Sequence, residues 1–152
     1  MSGTGHTVKS YEEEMQSLND NLVMMGSLTE NQMADAMAAV IKVDKESVDK
    51  IVKNDGKINE LRSTIDNQIT TVLVKRAPMA VDLRITISTM KISHDLERIG
   101  DLAKSVAKKV KPLPVDLPDE LIGSLRRLGD LVQKQLKDAL DAYLNRSKDK
   151  AI

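Results

Sequence analysis

PMAVDLRITISTMKISHDLERIGDLAKSVAKKV, Pro78 to Val110, is the stretch that decides the fold. It carries two apolar stripes at helical spacing. One is Ile85, Ile92, Leu96, Ile99, Ala103, Val106 and Val110, and it stays apolar throughout. The other is Leu83, Ile87, Met90, His94, Glu97 and Asp101, and it turns polar halfway. A helix with two stripes touches two neighbours, as in a three-helix bundle.

The flanking sequence supplies those neighbours. Arg76-Ala77-Pro78 ends a preceding helix, because the residue before proline disfavours the α region and proline is welcome in the first turn of the next helix. That second helix is expected from about Ser47 to Lys75. Its stripe is Val48, Ile51, Asp55, Ile58, Leu61, Ile65, Ile69 and Val72, and it places Asp55 where an apolar residue is expected. A short break at Asp44 to Glu46 separates it from a first helix that begins near Thr7 or Ser10 and runs to about Val43. Val8, Tyr11, Met15, Leu18, Leu22 and Met25 form a heptad stripe there. Leu28, Met33, Ala36, Met37 and Val40 continue it with a shift, as core packing. Strand signals are poor, and the chain reads as all-α.

Beyond Val110, KPLPVDLP (Lys111 to Pro118) holds three of the four prolines and reads as a linker. A fourth helix follows, capped by Asp116 or Asp119, with Leu121, Leu125, Leu128, Val132, Leu136, Ala139, Leu140 and Tyr143 on its stripe. Residues 18–49 lie on 121–152 at a constant offset, without a gap. The identical pairs include Leu18/Leu121, Leu22/Leu125, Gly26/Gly129, Gln32/Gln135, Asp35/Asp138 and Lys45/Lys148. The fourth helix is therefore expected to open a second copy of the first bundle. The expected division is a first bundle over 7–110, a linker over 111–118 and the first helix of an incomplete second repeat over 119–152. On this reading the chain is about two thirds of a two-repeat protein. The apolar stripe of the fourth helix must then be covered by the first bundle or across a dimer.

Composition excludes several functions. The 23 basic and 23 acidic residues balance, and Tyr11 and Tyr143 are the only aromatics. A nucleic-acid binder needs a basic excess or a stacking platform, and neither is present. With no cysteine, zinc fingers, iron–sulfur ligation and thiol nucleophiles are excluded together. No apolar run approaches the roughly 18–20 residues of a transmembrane helix. Met1 to His6 lacks the basic and apolar regions of a signal peptide, and a cytoplasmic location fits.

One constellation carries chemistry. In an ideal hairpin turning at Pro78, Asp55 and Asp101 share a level, as do Asn59 and Glu97, and Gly56 and Gly100. Two i, i+4 pairs of oxygen donors then face each other. Three carboxylates and one carboxamide suit a hard cation such as Mg, Mn or Fe. The competing reading is a solvated face with Arg98, Lys53 or Lys57 in surface ion pairs. His94, one turn before Glu97, is either a further ligand or a histidine bonded to a neighbour. Neither His6 nor His94 has a Glu three residues before it, so the di-iron Glu-x-x-His pattern is absent. No Ser/His/Asp arrangement or Gly-rich phosphate loop appears. The chain is not expected to be an enzyme. A carboxylate metalloenzyme and a structural oligomerisation module are the alternatives.

Arg76-Ala-Pro-Met-Ala-Val-Asp82-Leu-Arg84, followed by Lys91-Ile-Ser-His-Asp95-Leu-Glu97-Arg98-Ile-Gly100-Asp101, resembles the signature of the PhoU family. The resemblance extends through Met25-Gly26, Glu30, Gln32 and Asp55-Gly-Lys-Ile-Asn59. It implies two tandem three-helix bundles, often dimeric, of which this chain carries the first bundle and one helix of the second. It implies that Glu97 and Asp101 form the ExxxD metal motif, with Asp55 and position 59 as partners on the neighbouring helix. Many relatives carry Asp at the place of Asn59, so the cluster here holds less charge. The implied function is a negative regulator linking the ATP-binding subunit of a phosphate transporter to a sensor histidine kinase, with access to the inner membrane through those partners. Asp82, Arg84 and Arg98 are the candidate partner surface. The structural alternative for Asp82 is the dipole of the helix N-terminus, and for Arg84 a pair with Asp82 or the second helix.

Overall fold

The computed structural model describes residues 3–79 and 81–145, with side chains from Lys9 onward. It holds four α-helices: α1 (Gly3–Lys42), α2 (Ser47–Arg76), α3 (Val81–Lys108) and α4 (Asp119–Leu144). There is no strand among the described residues. Helices α1, α2 and α3 pack against one another in all three pairings, and α4 lies on α1. The expected end of the fourth helix and its Lys45/Lys148 match extend past Asn145 and lie outside the described residues.

The breaks fall where the sequence puts them, with different local chemistry. Helix α1 ends at Val43, which turns left-handed at φ 50°. The amide of Asp44 then donates to the carbonyl of Ala39 at 2.8 Å, closing the helix as a left-handed terminus does. Asp44 reaches forward to the amides of Glu46 and Ser47 at 3.1 and 3.2 Å and accepts from the Ser47 hydroxyl, so it caps the entry to α2. Helix α2 ends on Ala77, also left-handed at φ 43°. Pro78 is consequently not in the first turn of α3, which begins at Val81. Helix α4 begins after Pro118 with no side-chain cap. Asp119 and Glu120 stand inside its first turn instead, where carboxylates favour the positive end of the helix dipole.

The seam expected for α2 is the seam found. Val48, Ile51, Asp55, Ile58, Ile65, Ile69 and Val72 are all buried. In α1 the buried line is Leu18, Leu22, Met25, Thr29, Gln32, Ala36 and Ala39. The heptad therefore runs on through Thr29 and Gln32, and Met33, Ala36 and Val40 of the shifted stripe are buried beside it. In α3 the centre of the buried face is Thr86, Thr89, Ser93, Leu96, Gly100, Ala103 and Ala107. That line shares Leu96 and Ala103 with the first expected stripe and otherwise runs between the two, whose Leu83, Ile85, Met90, Ile92 and Ile99 flank it half-buried. Its hydroxyls donate to carbonyls of their own helix: Thr86 to Asp82 at 2.8 Å, Thr89 to Ile85 at 2.9 Å and Ser93 to Met90 at 2.8 Å. A hydroxyl satisfied in this way can be buried without an unpaired group.

Helix α4 crosses α1 antiparallel, through glycines. A Cβ on Gly26 would stand 3.1 Å from the Leu140 methyls, and a Cβ on Gly129 would stand 2.7 Å from Met37 Cε and 3.1 Å from its Cγ. The repeat offset carries Gly26 onto Gly129 and Met37 onto Leu140. The two contacts are thus images of each other, as at an interface with two-fold symmetry. Tyr143 extends the contact to α3, its hydroxyl 3.2 Å from Thr89 Oγ1. Of the expected α4 stripe, Leu136 is buried and Leu125 and Val132 pack half-buried against the core, while Leu121 is 45% and Leu128 57% exposed.

Substituting valine for both Gly26 and Gly129 forces Leu140 and Met37 aside along the whole crossing. Amide hydrogen exchange on that double variant is expected to show lost protection in α4, with α2 and α3 still protected. Equal loss across all four helices would show that α4 is an integral part of the bundle core.

Candidate functional site

The chemistry of the site begins with a buried charge. Asp55 sits in the α2 seam with its side chain 4% exposed. An isolated carboxylate there would cost far more than a helix seam gains, so it must be met by donors. It receives three. Gln32 Nε2, from α1, donates to Asp55 Oδ1 at 2.9 Å. Lys104 Nζ, from α3, donates to Asp55 Oδ2 at 2.6 Å. Asn59 Nδ2, one turn along α2, is 3.4 Å from the same Oδ2, a marginal contact.

The same two donors bind α3. Gln32 Nε2 also donates to the Gly100 carbonyl at 3.0 Å, and Lys104 Nζ to Asp101 Oδ1 at 2.6 Å. Gly100 is needed here, since a Cβ would stand 3.0 Å from Ile58 Cδ1 and 3.6 Å from Asp55 Oδ1. Its expected counterpart Gly56 faces open space. The hydrogen bonds to Asp101 first, and then to Asp55, raise the Lys104 pKa above its ordinary value. The ammonium therefore keeps its charge through neutral pH. Its contribution to stability is lost only as pH rises through that raised value.

Glu97 belongs to a second group. Its Oε2 lies 3.2 Å from Arg62 Nε, which also lies 3.5 Å from Asp66 Oδ2. His94, which is exposed, places Nε2 3.2 Å from Asp66 Oδ1 and 3.4 Å from Arg62. Of the readings open for His94, the bond to a neighbour is the one present.

The expected levels therefore hold for Asp55 and Asp101, which share Lys104. The remaining expected donors do not join them. Asn59 is exposed and turns its amide nitrogen to Asp55. Glu97 turns to Arg62. As a set of oxygen ligands, Asp55, Asn59, Glu97 and Asp101 have the right chemistry for Mg, Mn or Fe. Their placement does not fit one, because the Lys104 ammonium stands where a shared ion would bridge Asp55 and Asp101. No three Asp, Glu, His or Cys side chains form a metal-holding group among the described residues.

Sequence reasoning missed Lys104, Arg62 and Gln32 as members of this site. A signal existed for each. Lys104 is one turn past Asp101, Arg62 is four residues before Asp66, and Gln32 occupies a seam position and recurs at Gln135.

The candidate partner residues are divided as well. Asp82 and Arg84 are exposed at the start of α3. They line a groove of about 980 Å³ with Tyr11, Met15, Ile85 and Tyr143. Burial first, and then the Asp82 charge, raises the Tyr11 phenol pKa. Asp82 also stands in the first turn of α3, where the dipole favours it. Arg98 is 14 residues beyond Arg84, roughly 21 Å along the helix, and belongs to a different surface. Arg76, the first residue of the same motif, has a structural role. Its guanidinium grips Glu14 through Nε at 3.2 Å and Nη2 at 3.1 Å, and Nη2 donates to Ser10 at 2.8 Å, pinning the end of α2 to α1.

A bundle of long helices carrying this polar hub is a class defined by packing rather than by catalytic groups. The PhoU domain family matches residues 22–110, more than half of the chain. A relative from Caulobacter vibrioides, named a phosphate-specific transport system accessory protein PhoU homolog, is 41% identical over 98% of this chain and 65% of its own length. The Clostridium acetobutylicum homolog of the same name is 36% identical over 95% of this chain and 67% of its own. The crystal structure of PhoU from Pseudomonas aeruginosa superposes with a TM-score of 0.83 at 32% identity, covering 92% of this chain and 68% of the other. The phosphate transport system regulatory protein PhoU from Streptococcus pneumoniae gives 0.82 at 30% identity. The chain belongs to the PhoU family. It spans 65% of the length of the Caulobacter relative.

Gln32→Leu removes the donor from one buried Asp55 oxygen and the second donor from the Gly100 carbonyl, a cost of about 2 kcal/mol. The melting temperature is expected to fall by roughly 4–8 °C. Gln135→Leu, at the exposed repeat position on α4, is the control and is expected to shift it by less than about 2 °C.

Proposed function

We propose that this chain is a non-enzymatic accessory regulator of a phosphate transport system, acting by docking rather than by chemistry. The observation that carries the reading is the likeness to the Caulobacter relative across 98% of the chain, since that relative is named an accessory protein of such a system. The docking partners in this reading are the ATP-binding subunit of a phosphate transporter and the cytoplasmic part of a sensor histidine kinase. The outcome is restraint of phosphate-starvation genes when phosphate is sufficient. No helix among the described residues is long and apolar enough to cross a membrane. In this reading the chain works in the cytoplasm and meets the membrane through its partners.

The Asp82–Arg84 groove supports a docking role. It combines exposed charge with apolar walls from Met15, Ile85 and Ile92 at one end of the bundle. Such a mixture suits a partner's helix end or loop, with charges setting orientation and apolar side chains supplying affinity.

Arg84→Glu reverses a charge on an exposed side chain and leaves the fold intact. Surface plasmon resonance against the purified ATP-binding subunit is expected to show at least a tenfold weaker association for this variant, with an unchanged melting temperature. If the unaltered chain binds neither that subunit nor the kinase's cytoplasmic domain, the docking reading fails.

A further inference from the structure

The cation of the carboxylate hub is part of the chain. Lys104 Nζ lies 2.6 Å from both Asp55 Oδ2 and Asp101 Oδ1, the position from which a bound ion would bridge them. The remaining carboxylate of the cluster, Glu97, is held by Arg62. Each of the three acidic groups therefore already meets a fixed positive charge. A divalent ion entering here must displace an ammonium that makes two short charge-assisted bonds.

A second observation shows that the hub has capacity beyond its present bonds. Gln32 is 3% exposed, and its amide is fixed by the two bonds of Nε2 to Asp55 and Gly100. Its Oε1 is buried and has no hydrogen-bond partner. The residue that bridges Asp55 and Gly100 thus keeps an acceptor that the present bonds do not use. The hub thus offers oxygen from Asp55 and Asp101, and one side chain closes it to ions.

We propose that Lys104 is a resident cation that takes the place of a divalent metal between α2 and α3, so that this bundle is assembled without metal and opens to a hard ion only when the lysine is removed or withdrawn. Arginine at 104 keeps the charge, and glutamine or methionine removes it. The proposal does not depend on the regulatory function, since it concerns the bundle alone.

The test is Mn²⁺ titration of the full chain by isothermal calorimetry and by melting temperature, on the unaltered protein, Lys104→Met, Lys104→Gln and Lys104→Arg. Lys104→Met and Lys104→Gln are expected to bind Mn²⁺ at least tenfold more tightly than the unaltered chain and to regain melting temperature on adding it. Lys104→Arg is expected to behave as the unaltered chain, and adding Asp55→Asn to Lys104→Met is expected to abolish the gain. Equal affinity in the unaltered and Lys104→Met chains would overturn the proposal, as would a folded Lys104→Met that binds no tighter. Should neither neutral variant fold, Mg²⁺ titration of the unaltered chain, followed at the Lys104 Nζ resonance, decides. An unmoved signal supports a resident lysine, and a displaced one overturns it.

Discussion

One carboxylate organises this bundle. Asp55 is the only charged residue buried in the seam of α2, at 3% exposure. Burial of that charge is permissible only if donors from neighbouring helices reach it. Gln32 comes from α1 and Lys104 from α3, and each also binds α3 at Gly100 or Asp101. These bonds fix the height of three helices relative to one another. Apolar seams alone would leave that height loosely specified, because Leu, Ile and Val side chains tolerate a slide of one turn better than a paired charge does. The absence of a side chain at Gly100 follows from the same requirement, since Ile58 and Asp55 occupy its space.

The α1–α4 contact obeys a different rule. It is governed by shape, with a glycine on each helix receiving a long apolar side chain from the other. The repeat relation maps one contact onto the other. The positions matched by the sequence offset thus meet in space, with α1 and α4 packed antiparallel. Yet the line Leu18, Leu22, Met25, Thr29 and Gln32, buried in α1 by α2 and α3, corresponds in α4 to Leu121, Leu125, Leu128, Val132 and Gln135. Of these, Leu121, Leu128 and Gln135 are exposed. Helix α4 packs Leu125 and Val132 against the core and leaves Leu121, Leu128 and Gln135 of that face exposed.

The α2 seam was legible from Val48 to Val72, including Asp55 as its exception, because a strictly periodic, mostly apolar line has one solution. The helix breaks at Asp44 and Pro78 were legible from turn chemistry. What periodicity could not show was the buried face of α3. Thr86, Thr89 and Ser93 count as polar by composition, yet each hydroxyl is satisfied by its own helix. The same blindness hid Thr29 and Gln32 on the α1 heptad, beside the buried Met33 and Val40. At the site, level-matching across the hairpin brought Asp55 and Asp101 together correctly. It could not weigh the long cationic side chains, because Lys104 and Arg62 reach sideways from positions that spacing treats as surface.

The claim on which all of this rests is that Asp55 and Lys104 are energetically coupled within the core. A double-mutant cycle with Asp55→Asn and Lys104→Gln, followed by chemical denaturation, measures that coupling directly. A favourable coupling of about 1 kcal/mol or more is expected, with the double variant destabilised by less than the sum of the two single effects. Additive behaviour within about 0.3 kcal/mol would contradict it, and would mean that the lysine is a surface charge resting near a carboxylate satisfied by other means.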